Sequence, residues 1–144
     1  MHNLSSNVVT VRTSIAVVAG TSEIDTTSVD TAGFEGCRFI AAFGVITSGA
    51  ATSIKVQQAP DNSTWTDVLG TSQTVVDTAD TTIFISDIYK PQARYLRLVV
   101  LRATQNAVLD GVIAELYLPR QAGVAQDATT TILETFSNPA AGTA

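Results

Sequence analysis

Apolar and polar residues alternate with a period of two along most of this chain, in short runs separated by turns rich in Asp, Thr and Gly. That period places successive side chains on opposite faces of an extended strand, so a run of this kind buries one face and turns the other outward. Val9, Val11, Thr13, Ile15 and Val17 share one face of a long first strand, with Thr10, Arg12 and Ser14 opposite. Cys37, Phe39, Ala41, Phe43 and Val45 form the next buried face, and Ile40 and Ala42 predict a central strand covered on both sides. Further strands are expected through Ile54, Val56 and Gln58, at Trp65 and Val68, from Val75, and over residues 82–86. The strongest is 93–102, with Leu96, Leu98 and Val100 on one face and Tyr95, Val99 and Leu101 on the other. Residues 112–118, reached through 105–111, are its expected partner. Residues 21–33 read as a loop carrying a short strand, and 44–49 and 59–63 as turns. About eight strands at this spacing predict an all-β fold, an antiparallel β-sandwich of jelly-roll-like topology, with Greek-key variants of immunoglobulin type fitting almost as well.

Composition supports the same class. Thr, Val and Ile supply about a third of the 144 residues, whereas Lys occurs only at 55 and 90. Branching at Cβ disfavours helix and suits a pleated strand. The length suffices for one core without disulfides or metals. The sandwich is expected over residues 9–119, between an N-terminal arm at 1–8 and a C-terminal arm at 120–144. The last stretch turns to Ala, Gly, Thr and Gln, with Val124, Ile132, Leu133 and Phe136 as its larger apolar residues. It reads either as disordered or as an extended arm across a neighbouring subunit, and those four residues are the candidate contacts of such an arm.

The chemistry-bearing residues are few. The net charge is −5 and the pI about 4.5, so no large basic stripe for nucleic acid is expected. Arg94, Arg97 and Arg102 cluster, and read as stems over apolar surface with heads on carboxylates. Cys37 reads as a buried thiol. His2, the single His, sits in a terminal tail without a catalytic partner. Asp residues beside Thr and Gly read as turn formers. Neither Asp25 with Asp30 nor Asp77 with Asp80 has the spacing of a twelve-residue calcium loop. Trp65, Tyr89 and Tyr95 read as packing residues, with sugar stacking as the competing role of Trp65 and Tyr89. No secretory signal or membrane-spanning stretch opens the chain, so no membrane partner and no export by the usual route are expected. No cofactor and no enzyme activity are expected.

Several motifs together carry a resemblance. They run from Ser28-Val29-Asp30-Thr31-Ala32-Gly33-Phe34-Glu35-Gly36 through Phe43-Gly44-Val45-Ile46-Thr47 to Val56-Gln57-Gln58-Ala59-Pro60-Asp61. Trp65-Thr66-Asp67-Val68 and Arg94-Tyr95-Leu96-Arg97 follow. Over residues 24–118 this order resembles small tailed-bacteriophage virion proteins of the capsid decoration (cement) type. The resemblance implies a protein made in the host cytoplasm that binds the exterior of the virion capsid. Its partner would be the major capsid protein, and its working form a homotrimer. A glycan-binding adhesion module and a tail or head-completion component are the competing roles. Asp30, Gly33, Trp65 and Tyr95 are then fold-defining, the first two shaping a turn and the aromatic pair packing.

Overall fold

The alternating runs pair into two antiparallel sheets packed face to face in a computed structural model that describes residues 3–136 and 140–142. The sequence reading of His2 falls outside the described residues. The first sheet has the order β1 (Val8–Ser14), β11 (Ala107–Pro119), β5 (Phe34–Ile46), β9 (Ile83–Tyr89), with β2 (Val17–Gly20) also on β11. The second has β3 (Ile24–Asp25), β10 (Tyr95–Ala103), β6 (Ala51–Ala59), β7 (Thr66–Asp67). In it β4 (Val29–Asp30) also pairs with β10, and β8 (Gln73–Val75) with β6. Joining β1 with β2, β3 with β4 and β7 with β8 as interrupted strands leaves eight in a jelly-roll order. The fold is an all-β sandwich.

The core fills the space between the sheets. Cys37, Phe39, Ala41 and Phe43 from β5 face Ile54 and Val56 from β6 and Leu96, Leu98 and Val100 from β10, all essentially inaccessible. Phe43 meets Phe84 edge to face with ring centroids 5.7 Å apart, the arrangement that ring quadrupoles favour.

Four expectations change. Residues 112–118 are not the partner of 93–102: β10 pairs with β3, β4 and β6, while β11 pairs with β1, β2 and β5. The link between them carries Thr104 at φ +69° and crosses from one sheet to the other, so the two strands face each other across the core. The register of the long first strand on β11 shifts between Arg12 and Ser14, and the strand ends at Ser14 and leaves Ile15 68% exposed. Gly44 belongs to β5, not to a turn: a Cβ there would lie 2.7 Å from the Asp110 carboxylate. Register shifts around Leu109 and Gly111 then slip the phase of β5, so Ile46 points inward and Val45 outward.

Candidate functional site

The outer face of the first sheet carries the largest concentration of exposed branched side chains on a regular element. Its register sets side chains in rows across β11, β5 and β9. Tyr117, Gly36 and Tyr89 form one row, and Glu115, Arg38 and Asp87 the next. Beyond them lie Ile113, Ile40 and Ile85, then Gly111, Ala42 and Ile83. The first two rows are closed polar structure. The Tyr117 ring lies over Gly36, where a Cβ would meet it at 2.2 Å, and its hydroxyl donates to Asp87 at 2.6 Å. Burial and that hydrogen bond raise the phenol to about 12. The Arg38 guanidinium donates to Glu115. The last two rows are apolar and open, with Ile83 59%, Ile85 45% and Ile113 42% exposed. The expectation that β5 is covered on both faces is therefore met only in part, because Ile40 and Ala42 stay half-buried at the floor of this patch.

The two edges of the sheet are treated differently. On β1 the groups turned away from β11 are met by side chains of the C-terminal segment. The Thr10 N–H donates to Gln126 Oε1 at 2.9 Å, and Gln126 Nε2 donates to the carbonyls of Val8 (2.6 Å) and Ser5 (3.0 Å). Thr131 Oγ donates to the Thr10 carbonyl at 2.6 Å. Asp127 organises this stretch by accepting from Thr129 and Thr130, whose hydroxyls and one N–H hold its carboxyl below the usual range. Ser6 is tied to the same segment, its carbonyl accepting from Gly123 and Val124. The stretches expected as arms thus have a more specific course at residues 4–7 and 123–131, along the edge of their own sandwich. Among the described residues β9 has no such cover, and of its outward groups only the Ile85 carbonyl is met there, by Gln73 Nε2 at 3.0 Å.

The four candidate contact residues separate accordingly. Val124 packs against the chain's own core, whereas Ile132 (97%), Leu133 (47%) and Phe136 (73%) stand exposed beyond the clasp. Of the turn pair, Asp30 accepts from the Ala32 N–H at 3.0 Å and Gly33 takes φ +89°, a conformation costly for a residue with a Cβ. Arg94 grips Asp30 with two bonds of 2.9 and 2.7 Å, which hold the Asp30 carboxyl below its ordinary value. The Arg94 guanidinium also lies over the half-buried Tyr95 ring at 5.2 Å.

Trp65 is not a core residue. It is half-buried on the second sheet with the Arg97 guanidinium 4.6 Å from its ring centre, a cation–π contact that occupies one ring face. Arg97 continues to Gln57 Oε1 and to Asp25 at 2.9 Å. Lys90 stands over the other candidate sugar platform, Tyr89, at 5.3 Å. The Arg cluster divides: Arg94 and Arg97 reach carboxylates, but Arg102 is buried and donates instead to the carbonyls of Ser22, Val18 and Ala107 at 2.8, 2.9 and 2.8 Å. Burial without a carboxylate pulls its pKa below the ordinary value.

Cys37 is fully buried, and burial, with the Asp87 charge second, pushes its thiol up to about 12. A thiol-specific reagent at pH 8 is expected to leave the native chain unmodified and to titrate one group in denaturant. Rapid labelling of the native chain would contradict this burial. Among the described residues no group of three or more His, Cys, Asp and Glu is placed to hold a metal ion. No helix there is long and apolar enough to cross a membrane. Sequence reasoning missed Gln126, the capping role of Thr131 and the outward phase of Ile83 and Ile85. A Gln within a low-complexity stretch gives no signal of its partner, and alternation gives no sign of which face is inner.

No protein-family model matches the chain, and no curated protein matches it in sequence. The fold is shared with the crystal structure of the PBSX exported protein XepA, at a TM-score of 0.56 and 16% identity. The match covers 96% of this chain and 46% of that protein, so this chain spans about half of XepA's length.

Proposed function

We propose that this chain is a structural virion protein of a tailed bacteriophage, acting as a decoration (cement) protein on the capsid exterior. The observation that carries the reading is a regular sheet face left apolar at Ile83, Ile85 and Ile113, with Ile132, Leu133 and Phe136 exposed on the C-terminal segment. Such surface is composed for contact with protein. Side chains of Thr and Ser lose less rotamer freedom on ordering than Lys, which suits a surface covered by neighbours. The order of motifs over residues 24–118 supports the capsid assignment, and the jelly-roll fold is compatible with it. In this reading the chain works without a catalytic centre, as a homotrimer, with the major capsid protein as its partner.

The test is cosedimentation of the purified chain with heads assembled without it. Saturable binding at many copies per head, absent from isolated tails, is the expected result. Binding to tails alone would move the assignment to a tail component. Retention by a glycan array, lost in Trp65→Ala, would favour the adhesion role.

A further inference from the structure

The β5–β9 ladder fixes where the backbone groups of β9 point. The Lys90 N–H donates to the Glu35 carbonyl, and the pairs alternate from there, Gly36 with Tyr89, Cys37 with Ile88 and so on along the strand. In an antiparallel ladder only every second pair exchanges bonds. The N–H and C=O groups of Ile83, Ile85, Asp87 and Tyr89 are therefore turned away from β5. Among the described residues no strand lies against them, and Gln73 meets one carbonyl. An edge of seven residues with exposed isoleucines is a template for a further strand.

The same chain holds a segment suited to it. Ile132 to Phe136 reads Ile-Leu-Glu-Thr-Phe, without Gly or Pro, rich in residues that favour strands, and paired with nothing among the described residues. Alternation would set Ile132 and Phe136 on one face and Leu133 on the other, matching an edge whose outer face is Ile83 and Ile85 and whose inner face is Phe84 and Ile88.

In its own chain Ile132 borders the same open cavity as Ile83, but the segment cannot lie along the β9 edge. Thr131 is bonded to β1, and β11 and β5 lie between β1 and β9. Three strand spacings amount to about 14 Å. Crossing them uses about four of the five residues at roughly 3.4 Å each, and leaves no length to run along β9. A second copy has no such restriction. We infer that residues 132–136 of one copy add as a strand to the β9 edge of a second copy of this chain. The contact is heterologous, donor on one subunit and acceptor on the next, so it closes into a ring or continues as a chain of subunits.

Complementation tests this directly. Deleting 132–144 removes the donor and leaves the acceptor. Ile85→Pro removes an outward N–H from the edge without touching the β5 ladder, and leaves the donor. Ile85→Lys places a charge there should proline disturb folding, which circular dichroism checks. In sedimentation velocity the full chain is expected to associate, each variant alone to be monomeric, and the two mixed to form a one-to-one complex. A monomeric full chain, association by the truncated chain alone, or no complex in the mixture would overturn the inference. Head binding is read separately: a monomer that still decorates heads defeats the strand exchange and leaves the capsid assignment standing.

Discussion

Replacing Arg102 by Ala is expected to destabilise the sandwich by about 3 kcal/mol. Its guanidinium ties the irregular β2–β11 pairing to the stretch before β3, donating to the Val18 carbonyl on β2, the Ala107 carbonyl at the start of β11 and the Ser22 carbonyl. The side chain passes close to Gly20, where a Cβ would stand 3.3 Å from Nη2, so the backbone is shaped around it. Hydrogen bonds from a charged donor are each worth roughly 1.5–3 kcal/mol, and removing the donor strands buried acceptors. Relief from the cost of burying the charge offsets part of that sum. Urea unfolding measures it, and the thermal midpoint is expected to fall by roughly 10 °C. Arg102→Lys is expected to recover only part, because one ammonium cannot reproduce the planar fork. A wild-type midpoint for Arg102→Ala would show that the three carbonyls find other partners.

The second large effect separates two truncations that the sequence alone treats as one. Ending the chain at residue 120 removes Val124 from the core and strips the Gln126 and Thr131 bonds from β1. At roughly 0.5–1.5 kcal/mol for each bond, with the Val124 contact added, the loss is expected to be about 2–4 kcal/mol. Ending it at Thr131 keeps every one of those contacts and removes the exposed Ile132, Leu133 and Phe136. The shorter deletion is expected to leave the urea midpoint unchanged while weakening association. Equal stability of the two truncated chains would mean that the clasp on β1 contributes nothing. A lowered midpoint for the cut after Thr131 would mean that residues 132–144 stabilise the chain that carries them.

Much of the architecture is legible because alternation is a strong signal where one face is buried. The inward set of β10 is Leu96, Leu98 and Val100, as its period requires, and Val99 is buried on the opposite face among polar partners. What alternation cannot say is which strands pair. Two runs with a short link read as a hairpin, yet the residues after Ala103 carry the chain across the core into the other sheet. Nor can it place a phase slip: Val45 and Ile46 are both apolar, and the irregular pairing around Leu109 decides which is inside. Trp65 shows a third limit. Its size argues for the core, but its neighbour across the sheet surface is Arg97, distant in sequence and anchored by Gln57 and Asp25, and this contact holds the ring at the surface.

The exposed apolar surface is the part of the molecule least legible in the sequence. The apolar anchors of the C-terminal segment stand out against its composition, but only the clasp by Gln126 and Thr131 divides Val124 from Ile132, Leu133 and Phe136. Those side-chain bonds join residues more than 100 positions apart and follow no local rule. The exposed isoleucines likewise depend on β9 being an edge strand, a property of sheet order and not of its own sequence.

A structural role on the outside of a capsid is read out by cryo-electron microscopy of the particle that carries this chain. Jelly-roll density is expected on the outer capsid surface at symmetry-related positions, lost when the chain is deleted. Density confined to the tail, or a capsid surface unchanged by the deletion, would contradict it.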